Sequence, residues 1–200
     1  LNTHHLPEAF SRAVLAELPL ALEVLHETDL LGTAGGVANA ASALGPGDLV
    51  VWNGDILIAL DVGALRAAHA KHDAAATLAV AKRAVGEGTV GLGSDGAIVR
   101  LRNESFGVEA IGGDFVGVQV LGATLRERLP ERGCLVGDVY LPALRRGARI
   151  ATFEAPATWD DIGTIAAYLQ ANLRWLKERP SYVGPGAIVA PEVVLDGVII

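Results

Sequence analysis

The chain has 200 residues, 51% of them hydrophobic, and a formal net charge of -7 from 16 basic and 23 acidic side chains. That charge disfavours non-specific binding to nucleic-acid phosphates or to an anionic membrane, and no apolar block approaches the roughly 18 uninterrupted residues of a membrane span. The single cysteine, Cys134, excludes an intramolecular disulfide, and nothing has the basic start and apolar middle of a signal peptide, so a cytoplasmic setting is expected.

The chain opens at Leu1, contains no Met and begins inside what reads as a strand-to-helix junction, so the natural chain is expected to start upstream. "LPEAFSRAVLAEL" predicts a helix over residues 6–18, with Pro7 and Glu8 in its first turn and Ala9, Phe10, Ala13, Val14 and Leu18 on one face. A short strand at "ALEVLH", a glycine-rich loop at "LLGTAGG", a helix through "VANAASAL" and a strand at "DLVVW" follow. "DVGALRAAHAKH" predicts another helix and "ATLAVAKR" another strand, an alternation expected of a mostly parallel sheet flanked by helices. "GTVGLGSDGAIVRLRNE" reads as a hairpin turning at Asp95-Gly96 and "DFVGVQVL" as a further strand, which makes the expected sheet mixed. The last predicted helices are "GDVYLPALRRG" and "TIAAYLQANLRWLKE".

From residue 180 the pattern changes. Val183, Val189 and Leu195 recur every six residues, with Pro185, Gly186 and Pro191 between them. Such a period is the mark of a parallel β-helix, in which each side of a triangular coil buries one aliphatic residue. The expected organisation is a larger α/β domain over 1–179 and the start of a left-handed β-helix over 180–200. An apolar Pro/Gly linker is the other reading of this tail.

Three acids could carry chemistry. Asp55 follows the apolar run "LVVW" and the Asn53-Gly54 turn, where an open α/β sheet presents its ligands. A turn explains Asn53 and Gly54, which tolerate left-handed backbone, but it does not require the acid. Asp160 and Asp161 lie in "TWDDIGT", ahead of Thr164, which the sequence offers as the cap of the following helix. A solvated turn and a favourable helix N-terminus account for these acids singly. Together, one or two carboxylates completed by water and substrate phosphates are what Mg²⁺ takes. In "ETDLLGTAGGVANA", Gly32, Gly35 and Gly36 either allow close backbone packing or let backbone N–H groups approach a ligand; the spacing is neither that of a dinucleotide fingerprint nor that of a P-loop.

In this order the pieces resemble the sugar-phosphate nucleotidylyltransferases: "NTHHLPEAF", "LLGTAGG", "WNGD", "GGDFVGVQVL" and "WDDIGTIAAYLQAN" each look like a motif of that family, and "LLGTAGG" most resembles that of mannose-1-phosphate guanylyltransferases and muramate-type uridylyltransferases, the first favoured. The resemblance implies a Rossmann-like α/β fold and transfer of a nucleoside monophosphate from a nucleoside triphosphate to a sugar 1-phosphate, with pyrophosphate leaving. It implies that Asp55 and Asp161 hold Mg²⁺, and it gives Asp160 no such role. It places Gly32, Thr33, Ala34, Gly35, Gly36, Asn53 and Gly54 around the nucleotide, and Gly117 with Arg102 toward the sugar. Many members continue into a left-handed β-helix, through which copies of the chain would associate.

Two departures stand out. The family's G-G-x-G-T-R phosphate loop belongs upstream of "NTHH", before Leu1. "VRLRNES" occupies the place where many members carry Glu-Lys-Pro, and without the Lys either Arg100 or Arg102 replaces it or the contact is lost. The missing loop motivates an alternative, a non-catalytic regulatory subunit that binds a nucleotide sugar. His69 and His72, three apart, read as a solvated helix face, His4 and His5 as packing or capping, and Cys134 as a buried inert thiol. Leu173 and Trp175 read as core or as a surface for the tail.

Overall fold

The computed structural model describes residues 1–10, 15, 16, 18, 21–177, 179 and 181–200. Strand β1 (Asn2–Thr3) leads to a 3-10 turn at Pro7–Phe10, and residues 11–14 and 17 of the helix expected over 6–18 lie outside the described residues. The strand expected at "ALEVLH" is confined to β2 (Leu25–His26), which pairs in parallel with β1. Helix α1 (Gly32–Asn39) contains the glycines that the sequence places in a loop. Glycine costs about 1 kcal/mol relative to alanine inside a helix. Tertiary packing overrides that cost here: a Cβ at Gly35 would sit 2.6 Å from the Glu131 carbonyl oxygen, and one at Gly36 2.8 Å from Glu27 Oε1.

Next come β3 (Leu49–Trp52), β4 (Ile56–Ile58) and α2 (Val62–Lys71), whose Asp61 cap accepts the Ala64 N–H at 2.9 Å. Strand β5 (Ala76–Arg83) matches its predicted span. β6 (Val90–Leu92) and β7 (Ile98–Leu101) form the expected hairpin, with Asp95 Oδ1 accepting the Ala97 N–H. β8 (Glu104–Ser105) and β9 (Ile111–Leu121) follow. A short α3 (Ala123–Arg126) precedes a wide π-helical turn, Leu135–Tyr140, that runs into α4 (Leu141–Arg145). The chain ends with β10 (Ile150–Glu154), β11 (Trp159–Asp161), α5 (Ile165–Leu176), β12 (Ser181–Tyr182) and β13 (Val198–Ile199).

The chain groups into two compact units, Leu1–Val51 with Asp61–Ala155, and Trp52–Leu60 with Pro156–Ile200. Residues 180–200 thus cluster with the segment before them, although the sequence pattern changes there. In the first unit a mixed sheet runs β10-β5-β9-β6-β7-β8, with β3 also paired to β9. β10 and β5 are parallel, whereas β5 with β9, β9 with β6, β6 with β7 and β7 with β8 are antiparallel. The antiparallel share is larger than the βα alternation indicates, because β6 to β9 follow one another without intervening helices.

Residues 76–81 of β5 are all buried, as expected of a central strand covered on both faces. Ala76, Leu78 and Val80 pack with Val90, Leu121, Leu135, Tyr140 and Ile150, each buried Val, Leu or Ile side chain contributing about 1.5–3 kcal/mol. Between Leu78 and Val80 the β5–β9 register slips, and Gly117, at φ 74°, supplies the left-handed backbone of this bulge.

In the second unit β4 and β11 are antiparallel, and β12 and β13 are parallel. α5 is capped by Thr164, whose Oγ1 accepts the Ala167 N–H at 3.2 Å. Trp175 on α5 meets Tyr182 edge-on at 5.2 Å, and the Arg179 guanidinium lies 4.1 Å from the centre of the Trp175 ring.

One buried polar pair sits in the core of the first unit. The fully buried Tyr140 hydroxyl donates to Gln119 Oε1 at 2.9 Å, and burial pushes its pKa well above the ordinary tyrosine value. Tyr140→Phe is expected to cost about 1–3 kcal/mol, since it leaves the Gln119 oxygen buried without its donor, and adding Gln119→Leu should recover part of the loss. Urea denaturation of the two variants measures both effects.

Candidate active site

The turn between β3 and β4 is closed by the Ile56 N–H to the Asn53 carbonyl at 3.2 Å and by the Trp52 indole N–H to the Ile56 carbonyl at 3.0 Å. Neither Asn53 nor Gly54 adopts the left-handed backbone expected from their residue types. Apart from its chain neighbours, no described residue comes within 4 Å of a Gly54 Cβ position, so no packing contact among them demands glycine there. Asn53 is half-buried, and Gly54 and Asp55 are exposed.

Asp55 enters β4, whose antiparallel partner β11 sets Asp161 opposite Ile56 and Asp160 opposite Leu57. Successive strand residues face opposite ways, so the two adjacent acids part company. Asp160 pairs with Arg174 on α5. Asp161 turns toward Asp55: Asp55 Oδ2 and Asp161 Oδ1 each lie 3.1 Å from the point a Gly163 Cβ would occupy. The Ile162 N–H donates to the Asp55 carbonyl at 2.8 Å, and the Gly163 N–H to Asp161 Oδ1 at 2.9 Å.

Among the described residues, cations pair with Asp95, Glu104, Glu109, Asp114, Glu154 and Asp160, but none pairs with Asp55 or Asp161. Two exposed carboxylates are thus held together without a protein cation. No cluster of three or more His, Cys, Asp or Glu side chains among the described residues could hold a metal ion. Two hard oxygen donors fit Mg²⁺, which keeps several waters and takes substrate phosphates, and they do not fit a site built wholly from protein ligands.

In the first unit the "LLGTAGG" segment is tied to residues 131–135. The Ala34 N–H donates to the Gly133 carbonyl at 2.9 Å, the Gly133 N–H to the Leu31 carbonyl at 2.8 Å, and the Leu135 N–H to Thr33 Oγ1 at 3.0 Å. Ala34, Gly35 and Gly36 are buried, while Gly32 and Thr33 are exposed. Beneath them lies an acid that the sequence reading passed over. Glu27, 4% exposed, accepts from the Asn2 amide at 3.0 Å and the Leu31 N–H at 3.3 Å, and His4 Nδ1 lies 2.9 Å from its carbonyl. Its only sequence signal is its place directly after the short β2 strand.

The two arginines differ. Arg100 directs Nε, Nη1 and Nη2 at the carbonyls of Glu87, Gly88 and Val90 and at both oxygens of Glu109, so it clamps the hairpin and leaves one Nη1 N–H without a partner among the described residues. Arg102 is exposed, sits at φ 53°, and has only the Cys134 sulfur, at 3.7 Å, as a hydrogen-bond partner for its side chain. A left-handed arginine is uncommon and marks a strained position. Gly117 is buried in its bulge. His69 corrects the expectation of a solvated face: it is 7% exposed, with Nδ1 2.8 Å from Thr77 Oγ1, while His72 is exposed. Cys134 is half-buried.

No protein-family model matches the chain, and no similar sequence was found among curated proteins. Solved structures do match. HddC from Yersinia pseudotuberculosis complexed with GMP-PN superposes with a TM-score of 0.66 at 18% identity, covering 86% of this chain and 76% of that one. The inositol-1-phosphate CTP transferase from T. maritima gives 0.62 at 20% identity, covering 84% and 70%. The chain shares the mixed α/β fold of these proteins, a sheet flanked by helices.

The Arg100–Glu109 clamp has a pH signature. Arg100, and then the Gly86 N–H, hold the Glu109 pKa below its ordinary 4.5. Its stabilising effect is therefore complete above that ordinary value and is lost as pH falls through the lower folded-state value. Acid titration of the urea midpoint should show a decline below the ordinary carboxylate range. Glu109→Gln is expected to lower the midpoint at neutral pH and flatten that decline.

Proposed function

We propose that the chain is a nucleotidyltransferase that transfers a nucleoside monophosphate from a nucleoside triphosphate to a sugar 1-phosphate. The observation that carries this reading is the convergence of Asp55 and Asp161 on one point without a protein cation. The shared fold supports it, since one protein of that fold is an inositol-1-phosphate CTP transferase. A guanine nucleotide is the favoured donor, and mannose 1-phosphate the favoured acceptor on the sequence motifs. The donor choice gains support from a fold relative solved with GMP-PN.

Asp55 and Asp161 would hold Mg²⁺, which when bound neutralises phosphate charge and orients the reacting oxygens. The protein's part is positioning. Trp52 and Asn53 fix the turn that presents Asp55, and β11 presents Asp161. Gly54 leaves the space beside Asp55 open. Arg102 is the cation assigned to the sugar phosphate in place of a lysine, because it is exposed while Arg100 clamps the hairpin. Gly32 and Thr33 are the parts of α1 left facing outward for the nucleotide, and Gly117 keeps its sugar-side assignment only through its backbone.

We also read residues 180–200 as one coil of a left-handed β-helix through which copies associate. Ser181 pairs with Val198 and Tyr182 with Ile199 after 17 residues, close to the roughly 18 of three hexapeptides. Val189 and Leu195 are half-buried, while their neighbours Ile188 and Val194 are 97% and 92% exposed; Val183, at 42%, departs from the pattern. Sedimentation of wild type against Val194→Asp tests the association. A shift toward monomer is expected, and identical profiles would remove the tail's role.

For the transfer itself, pyrophosphate release with Mg²⁺, a panel of triphosphates and a panel of sugar 1-phosphates is the measurement. Asp55→Asn and Asp161→Asn should each lower turnover about 10²–10³-fold, some 3–4 kcal/mol, with the fold retained because both residues are exposed. Release unaffected by both substitutions would defeat this reading. Retained nucleotide-sugar binding with no release in the wild type would instead indicate a regulatory protein.

A further inference from the structure

Gly163 follows the "WDDI" strand and precedes the cap of α5, and three observations give it a specific task. Its N–H donates to Asp161 Oδ1 at 2.9 Å. Its missing Cβ would stand 3.1 Å from both Asp161 Oδ1 and Asp55 Oδ2, and 3.9 Å from Asp55 Cγ. Its φ lies outside the left-handed region, so the backbone alone would accept any L residue. The helix does not need the glycine either, because Thr164 supplies the cap.

The only atoms a methyl group would disturb are therefore the two carboxylates. We propose that Gly163 is the positioning residue of the acid pair: its N–H orients Asp161, and its bare Cα lets Asp55 close against the same point. This rests on the reading of Asp55 and Asp161 as metal ligands. A methyl would push one or both oxygens outward by a few tenths of an ångström, a shift that matters in a site whose geometry tolerates about 0.5 Å. The same methyl would leave the β4–β11 ladder and the α5 cap in place.

The test uses Mn²⁺ as the probe and counts free ion by electron paramagnetic resonance, with metal-free thermal melting of the same samples. Five proteins are compared: wild type, Asp55→Asn, Asp161→Asn, Gly163→Ala and Thr164→Ala. The expected result is wild-type binding lost in both Asp variants and weakened about 10-fold in Gly163→Ala, whose melting is unchanged. Thr164→Ala should melt lower and bind as wild type does. Wild-type affinity in Gly163→Ala would overturn the positioning role while leaving the metal reading intact. Equal weakening in Thr164→Ala would also overturn it, since loss of helix stability would then be the cause. Wild-type binding that is absent, or indifferent to Asp55 and Asp161, would overturn the metal reading and the positioning role with it.

Discussion

The pairing of β4 with β11 brings together two acids from distant parts of the chain. Asp161 ends β11 opposite Ile56, beside the turn that carries Asp55, and both acids reach the point a Gly163 Cβ would occupy, while Asp160 pairs with Arg174. A slip of one residue would exchange the faces of every side chain on the strand and move the acids of β11 relative to that turn. The backbone bond from Ile162 to Asp55 continues the ladder one step beyond the strand and holds the register beside Asp55. Two segments far apart in the chain are joined here by a handful of bonds, so the closure entropy must be met by side chains packed around them. Ile56 is buried and the Trp52 indole is bonded to its carbonyl.

Charge accounting gives part of the contrast. Several carboxylates are matched locally: Asp95 by Arg149, Glu104 by Arg145, Glu109 by Arg100, Asp114 by Arg83 and Glu154 by Lys82. Arg149 holds the Asp95 pKa down and Arg145 does the same for Glu104. These exposed pairs add little to stability, a median of about 0–1 kcal/mol each, but they show where the sequence cancels charge. Asp55 and Asp161 have no such partner among the described residues, and they converge on one point. Like charges brought to one point are costly unless something positive arrives, and the proposed Mg²⁺ would supply that charge without a further protein side chain.

Much of this arrangement was legible in the residues, and the failures have physical causes. β5 and the Asp95-Gly96 hairpin could be read because their patterns are local: an uninterrupted apolar run and a turn dipeptide. β11 could not, since "WDD" has low strand propensity and becomes a strand only through its pairing with β4. His69 is four residues after the buried Leu65, a helical spacing that placed it on the inner face, but polarity suggested the outer one. Asp55 was found because it follows an apolar strand and Asp161 because it belongs to an acid cluster ahead of a helix, whereas the task proposed for Gly163 depends on contacts across the ladder that no one-dimensional pattern displays. The engagement of Arg100 by Glu109 and three backbone carbonyls is likewise invisible in such a pattern.

The glycines of α1 show how two readings of one motif can both hold for different residues. Glycine at a strand-to-helix junction serves either close packing or ligand approach, and the structure divides the segment between them. Gly35 and Gly36 are closed against Glu131 and against the Asn2–Glu27 pair, and their Cα faces are not available to a ligand. Gly32 also lies close to Gly133, 2.5 Å from its carbonyl oxygen at the Cβ position, yet it remains exposed beside Thr33. Packing of the inner glycines fixes the N-terminal end of the helix, and that rigidity is what an exposed backbone needs if it is to select one base over another. In the proposed reading a nucleotide contact through this segment falls to Gly32 and Thr33, with Glu27 holding the preceding loop through the Leu31 N–H.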